Sequence, residues 1–176
     1  MRTLALIWLV AHASSPEDKL PGPAWDGKSY RVYADAASGL SLEAPLTEER
    51  IEFRHFDPKG PVGEAKHIVT LHGPNGAEVT VDVWDTGVPI EAGHFFETYL
   101  PFLRAPNVGI ATVLVPGPNV AGLLFTQPRG QAFARRTVVF AQGNRVVRLT
   151  CLNDEDERTR LVFERALATV KLGGAP

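Results

Sequence analysis

The chain has a single cysteine, Cys151, among its 176 residues. A disulfide needs two cysteines, so the chain has no internal disulfide framework and its core must supply the stability. The formal net charge at pH 7 is only −2. Nucleic-acid binders and polybasic membrane-surface proteins need a concentrated positive field, so neither class fits. Nothing beyond the first residues approaches about 18 consecutive apolar residues, so no transmembrane segment is expected in the mature chain.

Common catalytic motifs are also absent from the sequence. It has no phosphate-binding glycine loop, no dinucleotide glycine fingerprint, no Gly-x-Ser-x-Gly turn and no His-Glu-x-x-His helix. Cys151 could be a nucleophile, but it ends an apolar strand, where a small core residue is the ordinary interpretation. A non-catalytic role without a cofactor is therefore favoured over an enzymatic one.

Residues 1–13 have the composition of an export signal. Arg2 supplies a positive start, residues 4–11 form an apolar run, and Ala11-His12-Ala13 has the small-x-small spacing that signal peptidase accepts. A buried N-terminal strand is the alternative, because the run is too short to cross a bilayer. The signal interpretation predicts a mature chain that begins at Ser14 and is periplasmic or secreted.

The remaining residues divide into an arm, one domain and a tail. Residues 14–29 are rich in Pro, Gly, Ser and charge and predict a flexible arm. Residues 30–171 are enough for a single domain with its own core. Residues 172–176 predict a disordered tail.

Hydrophobic alternation predicts more strands than helices. Helical spacing is confined to residues 89–100 and 154–170, the second helix being capped by Asn153 or Asp154. Strand-like segments occupy most of the rest and are joined mainly by short turns. The chain is therefore predicted to be an α+β protein, with a largely antiparallel sheet and helices packed on it.

Two turns predict the register of their hairpins. A bulged Pro74-Asn75-Gly76 turn pairs Gly73 with Ala77 and His67 with Val83, which keeps the apolar pairs on one face. A two-residue Asn75-Gly76 turn would mix the faces. A Gly143-Asn144 turn predicts further pairs: Phe140 with Val147, Val138 with Leu149, Arg136 with Cys151 and, on the opposite face, Thr137 with Thr150.

Asp85, Glu91 and His94 are the strongest candidates for a metal site. Glu91 and His94 are three residues apart on one predicted helix face and could converge on an ion. Only one of these three residues is a histidine, and exposed polar residues are common at the start of a helix. No metal is therefore assigned to the chain.

Trp84, Arg129 and Arg148 are candidate contacts for a partner. Trp84 is predicted on the outer face of its strand, where an aromatic ring could meet another protein. Arg129 and Arg148 belong to the arginine-rich last third, which an acidic partner or anionic glycan could use. Because alternation spreads these arginines over both faces, a solvated, ion-paired surface is favoured over a dedicated anion site.

Two segments resemble one family. Residues 30–45 (YRVYADAASGLSLEAP) resemble the first hairpin of PsbP-like domains, also called the PsbP/Mog-type fold, and residues 135–170 resemble their closing hairpin and C-terminal helix. Members often carry a tryptophan after the proline that matches Pro45, whereas residues 46–50 here are LTEER. The resemblance implies an α/β/α sandwich and a non-catalytic binding role, as in DcrB-like bacterial envelope proteins.

We therefore expect an exported, non-catalytic binding or accessory module of the bacterial envelope or extracellular space, with a protein partner there. One alternative is a small hydrolase or metal-dependent enzyme that uses Asp85, Glu91 and His94. The other is a carrier of an apolar small molecule, held under Phe95, Phe96 and Tyr99. A deep pocket with convergent polar groups would favour the alternatives, whereas a filled core beside an exposed apolar patch would favour the binding module.

Overall fold

The computed structural model describes residues 29–36, 38–45, 51–55, 65–73, 76–99, 107–129 and 134–173, with 51–55 and 96–99 described by their backbone alone. The predicted signal at 1–13, the arm except Ser29, and residues 174–176 lie outside this part. The helices are α1 (Ala92–Tyr99) and α2 (Glu157–Thr169). The strands are β1 (Tyr30–Asp35), β2 (Leu40–Pro45), β3 (Ile51–His55), β4 (His67–His72), β5 (Glu78–Asp85), β6 (Gly109–Val115), β7 (Val120–Gln127), β8 (Arg135–Gln142), β9 (Arg145–Leu152) and β10 (Lys171–Leu172).

The described strands form two sheets, and every pairing in them is antiparallel. The large sheet has the order β3-β4-β5-β9-β8-β7-β6, and the small sheet has the order β1-β2-β10. The sheet-rich, largely antiparallel prediction is thus confirmed. Strand β10 was not predicted, because two residues carry no readable alternation. It pairs Leu172, at the start of the predicted tail, with Leu40.

The registers predicted for the two hairpins are confirmed. The Gly73 N–H donates to the Ala77 carbonyl at 2.8 Å, and His67 pairs with Val83. Gly76 has a φ of +75°, as the bulged turn requires, while Pro74 and Asn75 lie outside the described residues. In the second hairpin the pairs are Phe140 with Val147, Val138 with Leu149, Arg136 with Cys151 and Thr137 with Thr150.

Alternation gives the large sheet two different faces. The first face holds the main core, in which residues of β4, β5, β8 and β9 pack against β2 and α2. Its largest fully buried side chains include Phe140, Leu71 and Leu149 from the sheet and Phe163 from α2. The second face carries Trp84, Val139 and Val146 and packs against α1. These faces separate the structural core from the candidate site.

Helix α2 begins later than predicted. Its N-cap is Asp156, whose carboxylate accepts hydrogen bonds from the Thr159 N–H at 2.8 Å and from the Thr159 hydroxyl at 2.7 Å. Asn153 instead has a φ of +71° and donates its N–H to the Ala134 carbonyl at 2.9 Å. The chain therefore turns once more before the helix starts.

The buried stripe predicted for α2 is confirmed. Val162, Phe163, Ala166 and Val170 are buried, and Leu167 is partly buried against the same core. Helix α1 also starts later than the spacing indicated, at Ala92. Neither described helix is long and apolar enough to span a bilayer.

Candidate functional site

The second face of the large sheet is apolar where α1 covers it. Phe95 of α1 packs on Trp84 with ring centroids 5.2 Å apart and the rings tilted by 59°. Trp84 is 5% exposed, and Val139 and Val146 beside it are fully buried. The space under Phe95 is thus filled by side chains. Of the other two residues predicted to cover a cavity, Phe96 and Tyr99, the side chains lie outside the described part.

Beyond this apolar part, four threonines form a row across the second face. In register, Thr70 pairs with Thr80, Thr80 with Thr150, and Thr150 with Thr137. The Thr137 hydroxyl donates to that of Thr150 at 3.4 Å, and the Thr80 hydroxyl donates to Glu78 Oε1 at 2.8 Å. β-Branched threonine suits a strand, and its hydroxyl makes this part of the face polar. We call these four residues the threonine row.

An ion pair stands between the threonine row and Trp84. Arg148 donates from Nε and Nη2 to Asp82 Oδ2, at 2.6 and 2.5 Å, and its guanidinium carbon lies 5.2 Å from the centre of the Trp84 ring. Burial raises the pKa of Asp82, and the charge of Arg148 opposes that shift. The pair is therefore held on two sides, by the sheet and by the indole ring.

A polar cleft of about 290 Å³ opens over three members of the threonine row, Thr80, Thr150 and Thr137. Glu78 and Arg135 both flank Leu152, one on each neighbouring strand. Glu78 lies 3.8 Å from His72 Nδ1, whereas no described carboxylate forms an ion pair with Arg135. The cleft is lined by Glu78, Thr80, Asp82, Arg135, Thr137, Arg148 and Thr150.

A second depression lies between the start of α1 and the end of the large sheet. Its volume is about 440 Å³, and the residues around it are mostly apolar, including Ile90, Ala92, Val120, Ala121 and Leu123. Thr112 of β6 also lines it. We call it the apolar groove. It adjoins β6, the terminal strand of the large sheet.

The structure brings two of the three candidate partner contacts together. Trp84 lies on the predicted face, but α1 covers it, and Arg148 rests against its ring. The side chain of Arg129 is 64% exposed and lies 3.4 Å from Glu155. Contact with a partner stays a prediction for all three.

The metal candidates do not converge. Asp85 shares the first face with Val83, whereas α1, which carries His94, packs on the second face. Asp85 Oδ1 accepts hydrogen bonds from the Gly87 N–H at 3.1 Å and from Asn144 Nδ2 at 3.3 Å, and so supports a turn. Glu91 and His94 are exposed. Among the described residues, no group of three or more His, Cys, Asp or Glu could hold a metal ion.

Cys151 lies in the main core and is fully buried. Burial raises the pKa of its thiol to about 12, the negative charge of Asp154 adds to the shift, and Arg136 opposes it. A nucleophilic cysteine needs a thiolate near neutral pH. The environment of Cys151 gives the opposite, a protonated thiol packed as a core side chain.

No protein-family model matches the chain, and comparison with curated proteins gives no match. Among solved structures, the chain is similar to the solution structure of cyanobacterial PsbP (CyanoP) from Synechocystis sp. PCC 6803. The identity is 9%, with 82% of this chain and 93% of that chain covered, and the TM-score is 0.49. A likeness of this degree carries no residue role and no activity to this chain.

The polar cleft is the feature that sequence reasoning missed. The predicted hairpin register already placed Thr137 opposite Thr150, and the alternation of β5 places Glu78, Thr80 and Asp82 on one face. What joins the two sets is the pairing of β5 with β9. That pairing spans a long stretch of sequence and is fixed by no turn, so the pattern alone does not reveal it.

Proposed function

We propose that the chain is an exported, non-catalytic binding module of the bacterial envelope that holds an extended segment of a protein partner along β6. The observation that carries the proposal is that β6, among the described strands, has an unpaired outer edge and exposed apolar side chains. It ends the large sheet, and no described strand pairs with its outer edge. Ile110 and Leu114 are 57% and 66% exposed.

Strand β6 lacks the features that keep a sheet edge from pairing. Natural edges are usually protected by charged residues, proline or a bulge, and Gly109–Val115 (GIATVLV) contains no charged residue and no proline. The opposite end of the sheet differs, because β3 (IEFRH) carries Glu52 and Arg54. An uncharged edge with exposed apolar side chains suits the addition of a partner strand.

The apolar groove supplies the specificity that an added strand needs. Ile110, Thr112 and Leu114 alternate onto the second face, and Thr112 lines the groove together with Ala121 and Leu123 of β7. In β-strand addition, main-chain hydrogen bonds give affinity, and pockets for alternate side chains give specificity. We infer that every second side chain of the partner segment faces this groove.

Support for the other parts of the proposal comes from sequence and packing. Export rests on the composition of residues 1–13. A PsbP-like α/β/α arrangement is supported by the resemblance of residues 30–45 and 135–170, which form the β1–β2 hairpin and the β8–β9 hairpin with α2. It is also supported by α1 and α2, which contact the two faces of the large sheet. The envelope setting follows the resemblance to DcrB-like proteins.

The test is site-specific photo-crosslinking from position 112 in the organism's envelope fraction. We expect a chain that begins at Ser14 by intact mass and an adduct with a protein other than itself. Leu114→Lys should remove the adduct, because a charge would then face the apolar groove. Val32→Lys is the matched control, since Val32 is 67% exposed on β1, away from the groove.

Three outcomes contradict the proposal. One is an adduct that survives Leu114→Lys as well as it survives Val32→Lys. Another is an adduct only with a second copy of this chain, which would make the edge a dimer contact. The third is a chain that retains Met1 in the cytosol.

A further inference from the structure

The polar cleft contains two opposite charges that do not pair with each other. Glu78 and Arg135 line the same cleft of about 290 Å³, and both flank Leu152 in the sheet. Neighbouring strands lie about 4.8 Å apart, so the backbones that carry these two charges are separated by roughly 10 Å. Arg135 has no carboxylate partner among the described residues. Glu78 accepts a hydrogen bond from Thr80 and lies 3.8 Å from His72 Nδ1, but its side chain is still 38% exposed, so a ligand that spans the cleft can reach both charges.

The other charged residues of the cleft already satisfy one another. Asp82 receives two hydrogen bonds from Arg148, and the Trp84 ring holds the guanidinium in place. This ion pair forms one side of the cleft and is held in place there. Thr80, Thr137 and Thr150 form the floor. The Thr80 and Thr137 hydroxyls already donate to Glu78 and Thr150, so they offer acceptor lone pairs, and the Thr150 hydroxyl can still donate. The floor thus offers hydrogen bonds to a polar, uncharged middle section of a ligand.

The balance of charge selects the class of ligand. The lining holds two arginines and two carboxylates, so its net charge is zero. A plain anion would be attracted to Arg135 but repelled by Glu78, and a plain cation would meet the reverse. A zwitterion with separated charges complements both groups at once.

The size of the cleft narrows the class further. Pockets for drug-sized ligands and cofactors usually measure about 300 to 1,000 Å³, and this cleft lies just below that range. An extended peptide advances about 3.3 to 3.6 Å per residue. Two or three residues therefore bring an ammonium group and a carboxylate to roughly the separation of Glu78 and Arg135.

We propose that the polar cleft binds a short peptide of two or three residues, with its C-terminal carboxylate on Arg135 and its N-terminal ammonium on Glu78. The middle of the peptide passes over Leu152, which lies between Glu78 and Arg135 on the same face, and its amides face Thr80, Thr150 and Thr137 in the next rung of the sheet. No residue of this site belongs to β6 or to the apolar groove, so the inference does not depend on the proposed function. A chain that failed to bind a partner segment at β6 would still bind the peptide.

The test is isothermal titration calorimetry of the chain with triglycine, N-acetyl-triglycine and triglycine amide. We expect triglycine to bind best. Loss of either charge on the peptide should weaken binding about tenfold or more, since one charge-assisted contact then disappears. Equal affinity for the three peptides, or no binding of any of them, would overturn the proposal without any variant.

Two variants then assign the two ends of the peptide. Arg135→Gln should weaken triglycine about tenfold but leave triglycine amide unchanged, because the amide lacks the carboxylate. Glu78→Gln should weaken triglycine but leave N-acetyl-triglycine unchanged. The matched control is Arg160→Gln, an arginine of α2 that lies 3.9 Å from Glu164, outside the cleft. Unchanged melting temperatures verify folding, and tight binding of triglycine to Arg135→Gln would contradict the assignment.

Discussion

The buried thiol of Cys151 makes the free energy of unfolding depend on pH in the alkaline range. Burial raises the pKa of its thiol from 9.0 to about 12 in the folded chain. Above about pH 9 the unfolded chain loses this proton while the folded chain keeps it. The contribution to stability is therefore complete below that pH and is lost progressively as the pH rises towards 12.

We predict that Cys151→Ala removes this part of the pH dependence. Urea unfolding would be measured at about pH 8 and about pH 10. Between these values the unfolding free energy of the natural chain should fall more steeply with pH than that of Cys151→Ala, by up to about 1.4 kcal/mol per pH unit for one proton. Native-state thiol labelling gives a second measurement, and it should proceed no faster than unfolding. The same pH slope in both chains, or fast labelling, would contradict the buried, protonated thiol.

The environment of Trp84 shows where inference from single residues stops. Alternation placed its ring on the correct face of β5, because side-chain direction in a strand follows from position alone. The ring is nevertheless covered by Phe95 of α1 and contacted by Arg148. Coverage depends on where a helix packs, and the residues around Trp84 in the sequence carry no information on that.

At the scale of elements, the start of α2 shows that a local sequence can offer several N-cap residues for one helix. Asn153, Asp154 and Asp156 are all residues that favour an N-cap. Asn153 tolerates positive φ and makes a turn, Asp154 forms an ion pair with Arg136 at 2.9 Å, and Asp156 is left as the cap. The choice is set by the contacts of this turn with Ala134 and Arg136, which are distant in sequence.

We predict that Asp156→Ala lowers the free energy of unfolding by about 1 kcal/mol, the usual worth of an N-cap. Hydrogen bonds from the Thr159 hydroxyl and N–H lower the pKa of Asp156 below 3.8. This contribution is present above pH 3.8 and is lost as the pH falls through the folded pKa. Denaturant unfolding from neutral to acidic pH would measure it.

Asp156→Asn is the matched control for this cap, because asparagine can cap the helix but does not titrate. It should keep most of the stability at neutral pH and lose the part of the acid dependence that belongs to Asp156. A full loss of stability in Asp156→Asn, or none in Asp156→Ala, would show that the carboxylate does not act as the cap.

Elements joined by tight turns could be predicted from the sequence, whereas their assembly could not. The turns predicted at 74–76 and 143–144 fix which residues face each other, and alternation fixes the face. The pairing of β5 with β9 and of β2 with β10 joins segments far apart in sequence. The polar cleft depends on the first of these pairings, and so its residues could be placed on a face but not assembled into a site.

At the scale of the whole molecule, Arg145 links the two sheets. It starts β9 in the large sheet, and its buried guanidinium donates to the Ser38 carbonyl at 2.8 Å and to the Gly173 carbonyl at 3.4 Å. Gly173, just after β10, in turn donates its N–H to the Gly39 carbonyl at 2.7 Å. The β1–β2 turn, the end of β10 and the start of β9 are thus tied together by one side chain.

We predict that Arg145→Ala lowers the free energy of unfolding by about 2 kcal/mol, because it removes hydrogen bonds from a charged donor and leaves the Ser38 carbonyl without that partner. Arg129→Ala is the control: its arginine is exposed, and the loss of its surface ion pair should cost well under 1 kcal/mol.

The loss of stability in Arg145→Ala should also be localised to the small sheet. Native-state hydrogen exchange should quicken for the amides of β1, β2 and β10 more than for those at the centre of β5 and β9, since the main core still holds the large sheet. Equal acceleration in both sheets would mean that Arg145 supports the core as a whole and does not specifically join the small sheet to it.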